Sequence, residues 1–264
     1  RVGIFLFMED KMRAKRIENM ISYVQKNKTV TIEQLCEEFD VSINTVRRDI
    51  NEIIKTGQFK KTYGGITYES ETSLKSFSER HIKNHNQKEI IAAEAAKLVS
   101  DGDIIFIDSG TTTYYMIEHL KVKKDITILT NNLEAISRSI SYPNLHVVSL
   151  PGDVNRKTLS FTVLNAANYL SSYNINKSFI ATSGLSSERG ITNSSPQEYE
   201  IKVMAISRSL ENYVLVDYSK FNNVSLLTFN NFENINAIIT DKKPDDDLHD
   251  FILKKNIEII IGQS

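Results

Sequence analysis

From Asp103 onward the chain repeats one pattern: a short apolar run, a polar loop, then a helix-like stretch. The runs are "DIIFID" (103–108), "ITILT" (126–130), "LHVVSL" (145–150), "KSFIATSG" (177–184), "NYVLVD" (212–217), "NAIITD" (236–241) and "IEIII" (257–261). Short runs apolar on nearly every residue suit strands buried on both faces. "NNLEAISRSI" (131–140), "SPQEYEIKVMAISRSL" (195–210) and a last segment before Ile257 read as helices between them. Strands alternating with helices specify an α/β fold with a mostly parallel sheet. That constrains function as well, because ligands of open α/β sheets gather at the carboxyl ends of the strands.

Polar residues recur at those ends: Asp108-Ser109-Gly110, Thr130-Asn131, Pro151-Gly152-Asp153, Ser183-Gly184 and Asp217 to Lys220. Arg156 and Glu198 lie close to them in sequence. "DSGTTT" (108–113) joins a strand to a helix expected from about Thr112. Main-chain N–H groups at a helix start favour an anion. Ser109 and Thr111 to Thr113 add hydroxyls, and Gly110 permits close approach of backbone. A loop of this composition also turns and caps without binding anything; five polar strand ends together favour one polar pocket. An anion nest with Arg156 and Lys220 suits a phosphorylated ligand, and Asn131, Asp153 and Glu198 suit sugar hydroxyls.

Residues 11–67 follow another rule. "KMRAKRIENMISYVQKNK" (11–28) carries Ile17, Met20, Ile21 and Val24 on one helical face. In "TVTIEQLCEEFDV" (29–41), Thr31 and Gln34 form a capping box for a second helix with Ile32, Leu35, Cys36 and Phe39 on its buried side. "VSINTVRRDINEIIKTG" (41–57) starts a third at Ser42, which ends at Gly57. Three short helices in this order describe a helix-turn-helix. With Ile43, Val46 and Ile50 against the core, Asn44, Thr45, Arg47 and Arg48 face outward, where a recognition helix meets base edges and phosphates. "QFKKTYGGITYE" (58–69) then reads as a basic β-wing, with Phe59, Ile66 and Tyr68 inward, Lys60 and Lys61 outward and Gly64-Gly65 at the turn. An adjacent arginine pair is usually a solvated face. Here the cap, the two preceding helices and the wing favour DNA.

Charge agrees. Lys11 to Gly65 holds eleven Lys/Arg against seven Asp/Glu, or +4, while the whole chain carries −1. A basic head on an acidic body points the anionic macromolecular partner at the head alone. The single cysteine, Cys36, excludes an intrachain disulfide and suits a reducing cytoplasm. The five histidines are scattered, so neither a metal site nor a metal cofactor is expected. No apolar run approaches the length of a membrane span. Residues 1–10 are expected to be a disordered leader, with Met8 or Met12 as a possible start, and polar residues 68–85 a linker on which Phe77 and Arg80 dock to the body. Residues 86–264 form that body, opening with a helix over "NQKEIIAAEAAKLVS" (86–100).

The stretch from "RIENMISYV" through "VSINTVRRDINEIIKTGQFKKTYGGI" resembles the winged-helix head of the DeoR family of bacterial transcriptional regulators. Thr45, Arg47, Arg48, Asp49, Gly64 and Gly65 match its pattern, and Lys61 and Tyr63 stand where Arg and His are usual. The body resembles the family's effector domain through "IFIDSGTTT", "ILTNN", "LPGDVNRKTLSF", "SFIATSGLSSERGIT", "PQEYEIK" and "LVDYSKF". The resemblance implies a Rossmann-like domain of the ribose-5-phosphate isomerase and CoA-transferase type. It implies that Ser109, Gly110, Thr111 and Thr112 hold phosphate and that Asn131, Gly152, Arg156, Glu198 and Lys220 line the pocket. Asp153, Val163 and Ala181 stand where the family often has glycine.

A sugar-phosphate isomerase is the rival class. It needs a carboxylate base at the sugar carbon and a partner acid. The loop around "FIATSGLS" has no carboxylate, and Glu198 alone is a poor substitute, so no catalytic residue is expected. A third reading keeps the DNA-binding head and lets the body only oligomerise. The expected function is a transcriptional regulator: a repressor of a sugar uptake or catabolism operon, modulated by a phosphorylated sugar. It would bind double-stranded operator DNA through Ser42, Asn44, Thr45, Arg47, Arg48, Lys60 and Lys61. It would bind effector through Asp108, Ser109, Gly110, Thr111, Thr112, Asn131, Gly152, Asp153, Arg156, Ser183, Glu198 and Lys220. It would act as a dimer or tetramer.

Overall fold

The structure is a computed structural model that describes residues 2–55, 59–68, 75–162 and 166–263. The chain divides into two compact units, Arg1–Ser73 and Leu74–Ser264.

The first unit runs α1 (Val2–Asn27), β1 (Thr29–Thr31), α2 (Ile32–Phe39), α3 (Ile43–Lys55), β2 (Phe59–Thr62) and β3 (Gly65–Tyr68). The helix α1 begins at Val2, inside the stretch expected to be disordered. No proline interrupts it, and its Lys, Met, Arg, Ala and Glu residues are strong helix formers, so the turns built on Met20 and Val24 continue backward. Thr31 caps α2 in the expected box: its hydroxyl accepts from Gln34 N at 3.2 Å, and Gln34 Oε1 accepts from Thr31 N at 2.9 Å. Met20, Val24, Leu35, Val46, Ile50, Ile53, Phe59 and Ile66 make the core. Cys36 packs half-buried against it. The three strands form an antiparallel sheet in the order β1-β3-β2. A Cβ on Gly65 would stand 2.2 Å from the Val30 carbonyl oxygen, so only glycine lets β3 lie this close to β1. Gly57, the expected end of α3, lies outside the described residues.

The second unit opens with α4 (Phe77–Ile82), α5 (His85–Lys97), β4 (Ile104–Ile107), α6 (Thr111–Tyr114) and α7 (Met116–Leu120). Next come β5 (Ile126–Thr130), α8 (Leu133–Ser139), β6 (Leu145–Ser149), β7 (Asp153–Asn155), β8 (Ser160–Thr162), α9 (Ala166–Leu170) and β9 (Ile175–Ala181). It closes with β10 (Gly184–Ser186), β11 (Gly190–Asn193), α10 (Pro196–Arg208), β12 (Ser209–Leu215), a 3-10 turn (Tyr218–Lys220), β13 (Leu227–Asn230), β14 (Ala237–Thr240), α11 (Asp246–Lys254) and β15 (Glu258–Ile261).

Two expectations change here. The segment expected to be linker to residue 85 contains α4. Ser76 and Glu79 cap it reciprocally, at 3.0 and 3.2 Å, and bury Phe77. The helix expected from about Thr112 is two pieces, α6 and α7, broken at Tyr115. The Thr113 hydroxyl turns back onto the carbonyls of Asp108 (2.7 Å) and Gly110 (2.9 Å), tying the first turn to the loop before it.

Seven strands form a parallel sheet in the order β15-β14-β12-β9-β4-β5-β6. Side chains alternate between its faces. Ile105, Ile107, Tyr213 and Leu215 enter the core made with α5 and α7. Phe106, Val214, Val216 and Ile238 enter the core made with α10 and α11. From β4 the chain first builds outward through β5 and β6, then returns to the other side of β4 through β9 and β12. The order therefore reverses between β4 and β9, and in open α/β sheets the crevice that takes ligands lies at the carboxyl ends of such a switch point. A hairpin of β7 and β8 and a three-stranded antiparallel sheet, β10-β11-β13, stand beside the main sheet. Among the described residues no helix is long and apolar enough to cross a membrane.

Candidate functional site

Two surfaces of different character carry the expected site residues. On α3, Val46, Ile50 and Ile53 face the core, while Asn44, Arg47 and Arg48 are exposed side by side. Ser42 acts as the cap: its hydroxyl accepts from Thr45 N at 3.3 Å and meets Thr45 Oγ1 at 3.0 Å. Ile43 corrects the expected core set, since it is 48% exposed and sits on the first turn, ahead of the packed stretch. Asp49 explains the last letter of the Arg-Arg-Asp run. It is buried, accepts from Arg16 Nε at 2.7 Å and lies 3.6 Å from Arg13 Nε, so it ties α3 to α1. Its charge is thereby neutralised beside the two exposed arginines. On the wing, Lys60 and Lys61 are exposed on β2, and Tyr63 stands fully exposed at the turn.

The second surface is the switch-point crevice. Asp108 follows β4 directly, with its main chain bonded to Phe179 of β9 (N to O, 3.1 Å). Its Oδ2 accepts from Lys202 Nζ at 2.5 Å and from Ala181 N at 3.1 Å, and Lys202 Nζ also donates to the Ala181 carbonyl at 2.9 Å. Both side chains of this pair are buried. Gly110 must be glycine, because a Cβ there would fall 2.1 Å from Ala181 Cβ. Asn132 caps α8 through its Oδ1 and donates from Nδ2 to the Gly110 carbonyl at 3.2 Å, which joins the β4 and β5 loops. Asn131 donates to the Phe161 carbonyl at 3.3 Å. Glu198, buried in the first turn of α10, accepts from Ser160 Oγ at 3.1 Å, and Ser160 meets Thr158 at 2.7 Å.

Within this frame several buried polar atoms have no hydrogen-bond partner among the described residues: Asp108 Oδ1, Ser109 Oγ, Asn131 Oδ1, and Nε and Nη2 of Arg80. Arg80 comes from α4. Burial pulls its guanidinium below the ordinary value, and the nearby carboxylates of Glu198 and then Asp108 oppose that shift. Buried groups of these kinds are normally paired, so so many beside one another mark a place where another molecule supplies the partners.

Asp108, Ser109, Thr111, Thr112, Asn131 and Glu198 are thus brought together and buried around Gly110. Ser183 is half-buried and engaged with β11, through its N–H to the Thr192 carbonyl at 3.0 Å. Gly152, Asp153 and Arg156 lie exposed at the start and turn of the β7–β8 hairpin, whose Ser160 and Phe161 bond to Glu198 and Asn131, and Val163 falls outside the described residues. Lys220 is half-buried in the 3-10 turn after Asp217. Its charge acts on the buried Lys88, whose Nζ donates to the Arg80 carbonyl. Burial first, with Lys220 and Arg80 adding, pushes Lys88 down to about 8 against the pull of Asp217.

Sequence reasoning passed over Arg80 as a site residue and missed Lys202, Ser160 and Asn132. Signals existed for two of them. Lys202 stands four residues after Glu198 on one helix face. Ser76-x-x-Glu79 announces the helix that carries Arg80.

A winged helix-turn-helix joined to a parallel-sheet unit with a polar crevice defines a class, the DNA-binding regulator with its own sensor. The comparisons agree. A family model described as a DeoR-like helix-turn-helix domain matches residues 16–72, and one described as the DeoR C terminal sensor domain matches residues 83–242. The chain belongs to the DeoR family of transcriptional regulators. It is similar to the HTH-type transcriptional regulator IolR of Bacillus subtilis (strain 168), 38% identical over 94% of this chain and 99% of that protein. It is also similar to a lactose phosphotransferase system repressor of Staphylococcus epidermidis, 31% identical over 86% of this chain and 91% of that one. Among solved structures it is similar to ribose 5-phosphate isomerase A from Methanocaldococcus jannaschii, at 20% identity and a TM-score of 0.39 over 53% of this chain and 55% of that one. The relatives matched along nearly their whole length are named as regulators and repressors, and this chain is a regulator rather than an enzyme.

Proposed function

We propose that this chain is a cytoplasmic repressor of a sugar uptake or catabolism operon. In this reading it binds operator DNA through the first unit and a phosphorylated sugar in the crevice of the second. Asn44, Arg47 and Arg48 meet base edges and phosphates, Ser42 and Thr45 hold the start of the helix, and Lys60 and Lys61 contact the backbone from the wing. The regulator works as a homo-oligomer, so that paired heads meet paired half-sites. The name of the staphylococcal relative, a repressor of a lactose phosphotransferase system, supports the sugar reading.

One observation carries the ligand half: Asp108 Oδ1, Ser109 Oγ and Asn131 Oδ1 are buried without partners among the described residues, and so are Nε and Nη2 of Arg80, whose charge is felt by Asp108. The carboxylate and amide oxygens take hydroxyl protons, and the cation suits an anionic group. Ligand binding regulates only if the DNA-competent and DNA-released arrangements differ in ligand affinity.

The test is electrophoretic mobility shift on the promoter DNA beside the chain's own gene, with and without a panel of pentose and hexose phosphates and their free sugars. One or more phosphorylated compounds should release the DNA while their free sugars do not. Arg48→Ala should weaken DNA binding about tenfold or more, by about 1–3 kcal/mol, and leave sugar-phosphate binding unchanged. DNA retention that no panel compound alters would remove the ligand half, and normal DNA binding by Arg48→Ala would remove the assigned face of α3.

A further inference from the structure

The guanidinium of Arg80 is unusual in which of its nitrogens are left over. The buried donors without partners are Nε and Nη2. These two N–H groups lie along one edge of the planar fork and point the same way. That edge matches two oxygens of one phosphate, and a bidentate pair of this kind is the strongest contact arginine makes. Arginine stays charged in a protein interior, so the unfilled edge cannot be relieved by losing a proton.

The surrounding residues balance the charge and leave the edge open. Asp108 and Glu198 are the carboxylates that act on Arg80 electrostatically. Asp108 already spends Oδ2 on Lys202 and Ala181, and Glu198 accepts from Ser160. Neither is hydrogen-bonded to the guanidinium. The side chain is also held in place. Its guanidinium carbon lies 5.8 Å from the centroid of the Phe77 ring. Phe77 N donates to the Lys157 carbonyl at 2.7 Å, which anchors α4 on the β7–β8 hairpin, and Lys88 holds the Arg80 carbonyl from α5.

We propose that Arg80 is the anion-reading residue of the crevice, with its Nε–Nη2 edge gripping the phosphate of the bound sugar while Asp108 and Asn131 read hydroxyls. This rests on the ligand reading above and deepens it. The β4 loop, Ser109 to Thr112, was expected to carry the phosphate; here selectivity for a phosphorylated over a free sugar comes chiefly from α4.

The experiment uses the full chain as wild type, Arg80→Gln and Arg80→Lys. Thermal shift and calorimetric titration are run with inorganic phosphate, the sugar-phosphate panel and the matching free sugars. Wild type should bind at least one sugar phosphate. Arg80→Gln should bind it about tenfold or more weakly, as expected for a lost charge-assisted pair, and so lose most of the preference over the free sugar. Arg80→Lys, which keeps the charge without the fork, should fall between. The ligand-free melting temperature of Arg80→Lys should match that of wild type, because the charge facing Asp108 and Glu198 is kept and the edge given up is unpaired; a fork that served only the fold would lower it. Binding by Arg80→Gln within twofold of wild type overturns the inference and leaves the ligand reading standing. So does a preference retained in full by Arg80→Lys, which decides the matter if the glutamine variant fails to fold. No response of wild type to any panel member or to phosphate sinks the ligand reading and the inference together.

Discussion

Asp49 in the first unit and Asp108 in the second are each 1% exposed, yet they are buried to opposite ends. Asp49 has both oxygens occupied, Oδ2 by Arg16 and Oδ1 near Arg13, and no unpaired side-chain atom stands beside it among the described residues. Asp108 has one oxygen held by Lys202 and the other empty, next to the empty oxygens of Ser109 and Asn131. The first arrangement joins two helices and is complete. The second is complete only on the side facing the protein. Burial does not distinguish a structural carboxylate from a binding one; the count of satisfied oxygens does.

That contrast can be broken by removing partners. The largest effect is expected from Lys202→Met, which strands the Asp108 charge in the crevice and should cost about 3–5 kcal/mol of stability in urea unfolding. A cost under about 1 kcal/mol would mean that Asp108 finds another partner for its charge. Asp49→Asn removes a carboxylate whose arginines still reach water, so a smaller loss of about 2–3 kcal/mol is expected, confined to unfolding of the first unit. An equal loss in both variants would erase the distinction.

Gly110→Ala drives a methyl into Ala181 and should cost about 1–3 kcal/mol. Ala181→Gly in the same chain should recover most of it, and failure to do so would place the strain elsewhere. Smallest of all is Ser109→Ala. Its hydroxyl has no partner in the ligand-free protein, so the stability change should stay within about 0.5 kcal/mol, while sugar-phosphate affinity measured by calorimetry falls. A clear loss of ligand-free stability would show that Ser109 serves the fold instead.

Much of this was legible in the residues. The apolar runs from Asp103 onward specified a parallel sheet, since a strand buried on both faces has no polar alternation to offer. Thr31 with Gln34, and Ser42 ahead of Val46, marked helix starts through hydrogen bonds made within three residues. The head's outward arginines followed from the spacing of the apolar positions. The linker was misread because polar composition outweighed the Ser76–Glu79 signal. Ile43 was placed inside because the periodicity ignores the first turn, where the helix has not yet met its neighbours.

Local interactions can be read from a chain because their partners lie a few residues apart, and the sheet pattern, the caps and the recognition helix are all of that kind. The crevice is not. Arg80, Asp108, Asn131 and the α10 pair Glu198 and Lys202 come from four separate parts of the chain and meet only where the strand order reverses between β4 and β9. Which of them are paired and which are left open depends on distances set by packing. Asp108 facing Lys202 across 94 positions could not be inferred from either neighbourhood alone. The exposed hairpin carrying Asp153 and Arg156 shows the converse: residues suited by type and by nearness to a strand end stay exposed, while Ser160 of the same hairpin is buried against Glu198.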